Sequence, residues 1–187
     1  MNWAIINGDD YVGLTMLEMT AGLDTGPIIL QERVFIQDLN YTEVTSLIND
    51  LAGKMVNQFL LRHEELWDKR RNQDLSLGSH YTTRTPRDSL INFKRLSDVE
   101  IFRRFRALPD PLPRPFCYYN GQKIELIKIN MADIDVFGPS GRIAGFVQGK
   151  FFVIAANRGI EIEKICIGGV PLEPGAIFKT GDDLDEN

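Results

Sequence analysis

From Asn40 to Lys69 the chain reads NYTEVTSLINDLAGKMVNQFLLRHEELWDK. Its apolar residues Val44, Leu47, Ile48, Leu51, Met55, Val56, Phe59, Leu60, Leu66 and Trp67 recur at helical spacing. Only two β-rich runs precede this segment, VGLTMLEM (12–19) and PIILQERVFI (27–36), separated by the glycine-rich turn AGLDTG. One helix and two strands cannot cover both faces of a doubly wound sheet. Residues 1–72 therefore read as α/β in character but too small to close such a layer alone. Either the strands pair with the C-terminal region, or residues that belong before Met1 are absent. Thr42, followed by Thr45 and Ser46, offers a start for the helix without a full capping box.

The texture then changes twice. Residues 72–95 (NQDLSLGSHYTTRTPRDSLINFKR) are polar and aperiodic, as expected of a long linker or surface arm. SDVEIFRRFRAL (97–108) predicts a helix with Ser97 as N-cap and Glu100 completing a capping box, stopped by PDPLPRP. From Phe116 onward short β-rich runs alternate with glycine turns, beginning with a hairpin around Asn120-Gly121. The fold class is accordingly α/β followed by all-β, with a small antiparallel barrel or sandwich at the end. The organisation expected is 1–72, then a linker arm and helix over 73–110, then a β domain over 111–187, with the acidic tail TGDDLDEN frayed.

Bulk properties exclude little but point one way. The formal net charge of −5 advertises no nucleic-acid surface, although a local basic patch can coexist with it. Cys117 and Cys166 are too few and too far apart for a disulfide framework or a zinc knuckle, and read as buried reduced thiols of a cytoplasmic protein. No apolar run approaches the roughly 20 residues needed to span a bilayer.

Few residues carry a chemical signal. Asp24, between Gly22 and Gly26 at a strand boundary, sits where backbone can approach a ligand closely. On the residues alone, an Asx-type turn explains Asp24-Thr25-Gly26 better than a catalytic carboxylate does. NGDD (7–10) reads as a turn with solvated acids. His63 is expected on the polar side of the long helix and His80 in the arm, so no metal site is expected. Arg103, Arg104 and Arg106 could bind phosphates, although helix-face arginines are usually solvated or paired with acids. No nucleotide-binding glycine motif and no nucleophile elbow is present.

As a unit, WAIINGDDYVGLTMLEMTAGLDTGPII resembles the 10-formyltetrahydrofolate-dependent formyltransferases, on Trp3, Ala4, Asn7, Gly8, Gly13, Thr15, Met19, Gly22, Asp24, Thr25 and Gly26. RTPRDSLINF (84–93) resembles that family's arm, and RALPDPLPRPFCYYNGQKIELIK (106–128) the entry to its C-terminal domain. The resemblance implies the C-terminal part of a Rossmann-like catalytic domain followed by a small open, OB-like β-barrel. It implies a formyl donor, 10-formyltetrahydrofolate, and a primary amine as acceptor. It makes Asp24 the catalytic carboxylate, overturning the turn reading, and makes Met19, Ala21, Gly22, Leu23 and Asp24 the lining of the pterin pocket. In the family an asparagine and a histidine two residues apart stabilise the oxyanion formed when the amine attacks the formyl carbon, and the aspartate orients the histidine. That pair lies upstream of the tryptophan–alanine segment, and neither His63 nor His80 matches it. Met1 thus reads as an internal methionine, the chain as a C-terminal portion lacking two of three catalytic residues, and its own turnover as negligible. The RTPRDS arm and the acidic balance resemble members acting on amino-sugar nucleotides more than those acting on initiator methionyl-tRNA. A catalytically dead binding or oligomerisation module, assembling as a homo-oligomer, is the alternative of another class.

Overall fold

The computed structural model describes residues 1–109 and 112–185. Asp110 and Pro111 of the expected helix stop, and Glu186 and Asn187 of the tail, lie outside the described residues. The chain divides into two compact units, one from Trp3 to Thr83 with Met1, the other from Arg84 onward with Asn2.

The first unit opens with a short helix, α1 (Asn2–Asn7), capped by Gly8 in the left-handed region, φ 77°. NGDD is therefore a helix end, with the Asp9 amide bonded to the Ala4 carbonyl, 2.9 Å. Strands β1 (Tyr11–Leu17) and β2 (Ile28–Phe35) pair antiparallel, with Gly13 opposite Arg33 and Thr15 opposite Gln31. They form a two-stranded sheet with no partner strand from elsewhere among the described residues. The predicted long helix breaks into α2 (Tyr41–Leu61) and α3 (His63–Asp68), with Arg62 leaving the helical region at φ −134°, ψ 28°. His63 therefore begins the second helix and is solvent-exposed.

The cap of α2 is Asn40, not Thr42. Its side chain accepts from the Thr42 and Glu43 amides, and the Glu43 carboxylate returns to the Asn40 amide at 2.7 Å, a full capping box. Asn40→Ala is expected to cost about 1 kcal/mol of unfolding free energy by urea titration, while Thr42→Ala, outside the box, should change it by less than about half that.

One apolar stripe of α2 packs on the sheet. Leu30, Met55 and Leu66 form the buried centre, with Leu14, Met16, Ile29, Leu51 and Phe59 around them. The rest of the apolar pattern stays outside: Leu47, Val56, Leu60 and Leu61 are exposed. A two-stranded sheet offers only enough surface to cover one stripe of a 21-residue helix.

The second unit starts within the supposed arm. A 3₁₀ turn over Pro86–Ser89 leads to Leu90, which bridges in parallel to Phe116, and Ile91 and Phe93 are buried in the main core. Helix α4 (Asp98–Arg106) carries the predicted Ser97/Glu100 capping box. Strands β3 (Phe116–Tyr119) and β4 (Gln122–Asn130) form the predicted hairpin, with Asn120 and Gly121 both at positive φ, 52° and 73°, as a primed turn requires. With β5 (Ile143–Val147), β6 (Lys150–Ile154), β7 (Gly159–Ile167) and β8 (Val170–Leu172) they make one antiparallel sheet in the order β3-β4-β7-β6-β5, β8 pairing with β7. The sheet is open, since β3 and β5 are not paired with each other. Its core is aliphatic and aromatic, and both cysteines are buried free thiols in the sheet, Cys117 pushed up to about 12 by burial.

The tail expectation fails for its described part. Asp182 accepts from the Tyr119 hydroxyl at 2.7 Å, Asp183 pairs with Arg142 at 2.6 Å, and Asp185 accepts from the Gly121 amide at 2.8 Å. Leu184 is buried between them. These acids answer donors of the sheet, so the segment is ordered by partners a local reading cannot see. Among the described residues no helix is long and apolar enough to cross a membrane.

Candidate functional site

The AGLDTG turn joins β1 to β2, and its base is closed by the Glu18 amide donating to the Pro27 carbonyl at 2.9 Å. Inside that closure the backbone folds tightly. Gly26 is buried, and an ideal Cβ there would overlap the Glu18 carbonyl oxygen and lie 2.9 Å from its carbon. Glycine at this position is a requirement of close approach. The hydroxyls of Thr20 and Thr25 meet at 3.1 Å across the loop.

Gln73, which the sequence reading leaves as part of the polar arm, holds the loop from outside. Its side-chain amide donates to the Asp24 carbonyl at 2.8 Å and to the Gly26 carbonyl at 2.6 Å. Gln73 is delivered there by the preceding residues. Ile28 and Arg71 exchange two backbone hydrogen bonds, 2.7 and 3.0 Å, and the Arg70 guanidinium pairs with Glu18 at 2.7 Å while stacking over Trp67. A glutamine in a polar stretch gives no signal by itself. The only legible hint is the abnormal length of the arm.

Asp24 sits at φ 54°, a left-handed conformation that aspartate tolerates better than most residues. Its carbonyl is taken by Gln73. Its carboxylate, by contrast, has no hydrogen bond or ion pair among the described residues. The backbone is fixed and the charged group is left available. All five residues expected at the site, Met19, Ala21, Gly22, Leu23 and Asp24, line one cleft of about 370 Å³ made by residues 17–26. Met19 and Leu23 present their apolar side chains almost fully to solvent, at 97% and 91% exposure. The volume lies within the ~300–1,000 Å³ of small-molecule sites. Carbonyls, amides, two exposed apolar side chains and one free carboxylate are a donor set that suits a flat polar heterocycle.

His80 is exposed in the arm, and the described residues contain no group of three metal-ligating side chains. Neither histidine shares the cleft with Asp24.

Comparison with known proteins now decides the family. The formyl transferase model matches residues 1–59, and the model of the formyl transferase C-terminal domain matches residues 84–181, more than half of the chain. The chain belongs to the formyl transferase family. The first match spans the Asp24 loop and the second the open sheet with its arm. A methionyl-tRNA formyltransferase of Syntrophomonas wolfei subsp. wolfei is 30% identical over 95% of this chain and 57% of its own length. This formyl transferase chain spans about half the length of the curated relatives it matches. Among solved structures, HypX from Aquifex aeolicus in complex with tetrahydrofolic acid aligns with all of this chain and 36% of its own, at TM-score 0.65 and 13% identity. An N-formyltransferase from Helicobacter canadensis, in complex with folinic acid and dTDP-3-aminofucose, aligns over 85% of this chain and 58% of its own, at TM-score 0.57 and 22% identity. At these identities the two structures speak for the fold.

Proposed function

We propose that this chain serves formyl transfer from 10-formyltetrahydrofolate to the primary amine of an amino-sugar nucleotide, with Asp24 as its carboxylate. The observation that carries the reading is the two-part family match; the position of Asp24, Thr25 and Gly26 on the lining of the cleft supports it. The folate is supported by the tetrahydrofolic acid and folinic acid named with the two structural neighbours. Met19, Ala21, Gly22 and Leu23 would hold its pterin against the loop, and bound there it supplies the formyl carbon. Asp24, with its carboxylate unspent, would accept or orient the proton that the attacking amine gives up. Gln73 and Gly26 keep the carboxylate in one place while that happens.

The amino-sugar acceptor is supported by the aminofucose nucleotide of the Helicobacter canadensis neighbour, by the RTPRDS arm and by the net charge of −5. Initiator methionyl-tRNA is the second reading, favoured by the name of the Syntrophomonas relative. A cytoplasmic setting fits the two free thiols, and a homo-oligomer fits the exposed leucines of α2.

Calorimetric titration with folinic acid tests the site. Binding to the 187-residue chain is expected, and Asp24→Asn, which keeps the shape and removes the charge, should leave the affinity within about threefold. These residues contain no asparagine-x-histidine pair, so turnover by them alone with 10-formyltetrahydrofolate is expected to be negligible. Absence of folinic acid binding would remove the pterin assignment, and turnover that survives Asp24→Asn would remove the role of Asp24. The acceptor is read from salt dependence: dTDP-3-aminofucose should bind with a shallow slope, whereas a steep slope with methionyl-tRNA and no binding of the sugar would favour the second reading.

A further inference from the structure

The turn of the β3–β4 hairpin is Asn120-Gly121, a dipeptide that can react with itself. Asparagine is thermolabile, and most so before glycine, which has no Cβ to obstruct attack of its amide nitrogen on the asparagine side chain. In the first step a buffer base takes the Gly121 amide proton, the nitrogen bonds to Asn120 Cγ, and the Cγ–Nδ2 bond breaks. The proton returns to the leaving nitrogen, which departs as ammonia and leaves a five-membered succinimide. Water then adds to one of the two ring carbonyls and breaks its bond to nitrogen. The product is aspartate or, where the main chain now runs through the side chain, isoaspartate. Both turn residues are exposed, and apart from the chain neighbours no heavy atom lies within 4 Å of the Cβ position of Gly121, so base and water have access.

The fold opposes the first step at the attacking atom. In a two-residue hairpin the cross-turn bonds join the flanking residues, here Tyr119 and Gln122, and the amide of the second turn residue ordinarily faces water. Here the Gly121 N–H donates to Asp185 Oδ2 at 2.8 Å. An amide beside a carboxylate gives up its proton less readily, because a charge-assisted hydrogen bond is lost and the nitrogen anion is repelled. Asp185 is brought there by its own segment. Its amide donates to the Tyr118 carbonyl at 3.0 Å, the buried Leu184 donates to the Gly141 carbonyl at 2.9 Å, and Asp183 pairs with Arg142 at 2.6 Å. The other Asn-Gly of the chain, Asn7-Gly8, is held differently. Asn7 is the last residue of α1 and donates through Nδ2 to the Tyr81 hydroxyl at 3.0 Å, while the Gly8 amide meets the backbone carbonyl of Ile5 at 3.1 Å.

We propose that Asn120-Gly121 is a deamidation site of this chain and that the Asp185 carboxylate restrains it. The product acts back on the restraint. Either acid puts a new carboxylate one residue from the amide that Asp185 holds, and isoaspartate also lengthens the main chain of a turn that needs two residues at positive φ, 52° and 73°. Deamidation thus loosens the segment 182–185 that had slowed it, and loss of ammonia makes the change one-way. The inference stands without the formyl-transfer reading, since every group in the reacting turn and its restraint belongs to the second unit.

Storage of the 187-residue chain in mildly alkaline buffer, followed over weeks by peptide mapping with mass spectrometry, tests the site. The peptide carrying Asn120 should gain the amide-to-acid mass slowly in the parent chain and about tenfold faster in Asp185→Ala, the loss of one charge-assisted hydrogen bond. Asp185→Asn, which keeps an acceptor without the charge, should fall between them. Asn120→Gln should abolish the gain, and the peptide carrying Asn7, read in the same digests, should change at one rate in every chain. Arg142→Gln loosens the segment at Asp183 and spares the Asp185 carboxylate, so it should accelerate the reaction less than Asp185→Ala does. No gain at Asn120 even in Asp185→Ala, or one rate in the parent chain and Asp185→Ala, overturns the proposal. Equal acceleration by Arg142→Gln would assign the restraint to the segment at large and overturn the role of Asp185.

Discussion

Gly26→Ala is expected to open the loop between β1 and β2 and to abolish binding of folinic acid. The added methyl group would overlap the backbone of Glu18, which no rotamer change can relieve. To make room, the loop must widen at its base, where the Glu18 amide meets the Pro27 carbonyl, and the two carbonyls held by Gln73 must move apart. Overpacking of this kind costs about 1–3 kcal/mol. The loss should appear in urea unfolding and in faster amide exchange at Glu18 and Ile28. The comparison is Gly22→Ala. There a Cβ would overlap the Thr25 hydroxyl oxygen and crowd its Cγ2 at 3.2 Å and Cβ at 3.3 Å, but all three belong to one side chain, and a threonine can turn away at the expense of its contact with Thr20. Gly22→Ala should therefore destabilise less and retain weakened binding. If Gly26→Ala bound folinic acid like the parent chain, the tight loop would not be what presents Asp24.

The contrast between these glycines shows why this site was partly legible. Residues 19–24 are contiguous, so the chain itself brings them to one cleft, yet the residues taken alone read as an Asx turn, and it was the resemblance of the whole stretch 3–29 that singled them out. Gln73 stands 49 residues from Asp24, and its two hydrogen bonds exist only because Arg70 and Arg71 dock against β2 and Glu18. Nothing in the local sequence distinguishes it from Asn72 or Asp74. Elements behaved the same way. The Asn120-Gly121 hairpin and the Ser97/Glu100 box are signals carried within four residues, and both are found as read. The break at Arg62 has no glycine or proline to announce it. It serves Leu66, which must turn inward to meet Leu30 and Met55, and the apolar period runs across it undisturbed. The Asn40 box escaped because the cap lies four residues before Val44, the first apolar position of the period, among polar residues that look alike. Residues 84–95 looked like linker because Leu90, Ile91 and Phe93 are a short apolar group in a polar stretch, yet the alternation of Ile91 and Phe93 was enough to bury both.

Asp98 is the clearest case of a residue whose weight is invisible in sequence, and its removal should have the largest effect on stability. At the first position of α4 it reads as an ordinary helix-start acid. In the fold it is 1% exposed, and its carboxylate accepts three bonds, from the Val99 amide at 2.8 Å, Asn157 Nδ2 at 2.8 Å and Arg158 Nε at 2.7 Å, while its own amide donates to Asn157 Oδ1 at 3.0 Å. Burial pushes its carboxyl up. The bonds from Asn157 and Arg158, with the Val99 amide and the guanidinium charge, outweigh burial and hold it below the ordinary value of 3.8. Asp98→Ala strips these donors of their acceptor and, among the described residues, leaves Arg158 with Asp135 at 3.3 Å. Removing one partner of a buried pair costs about 3–5 kcal/mol, and since the arginine is 31% exposed and can recover some hydration, about 2–4 kcal/mol is expected. The sign with pH follows from the depressed folded-state value. The unfolded chain binds the proton first, so the contribution is fully present above about pH 4 and fades as pH falls through the folded value. The difference in urea midpoint between the parent chain and Asp98→Ala should thus be constant from neutral pH down to about 4 and shrink below it. A difference that stays the same down to pH 2 would assign the loss to packing and to the capping bonds, and not to the charge that ties α4 to Arg158.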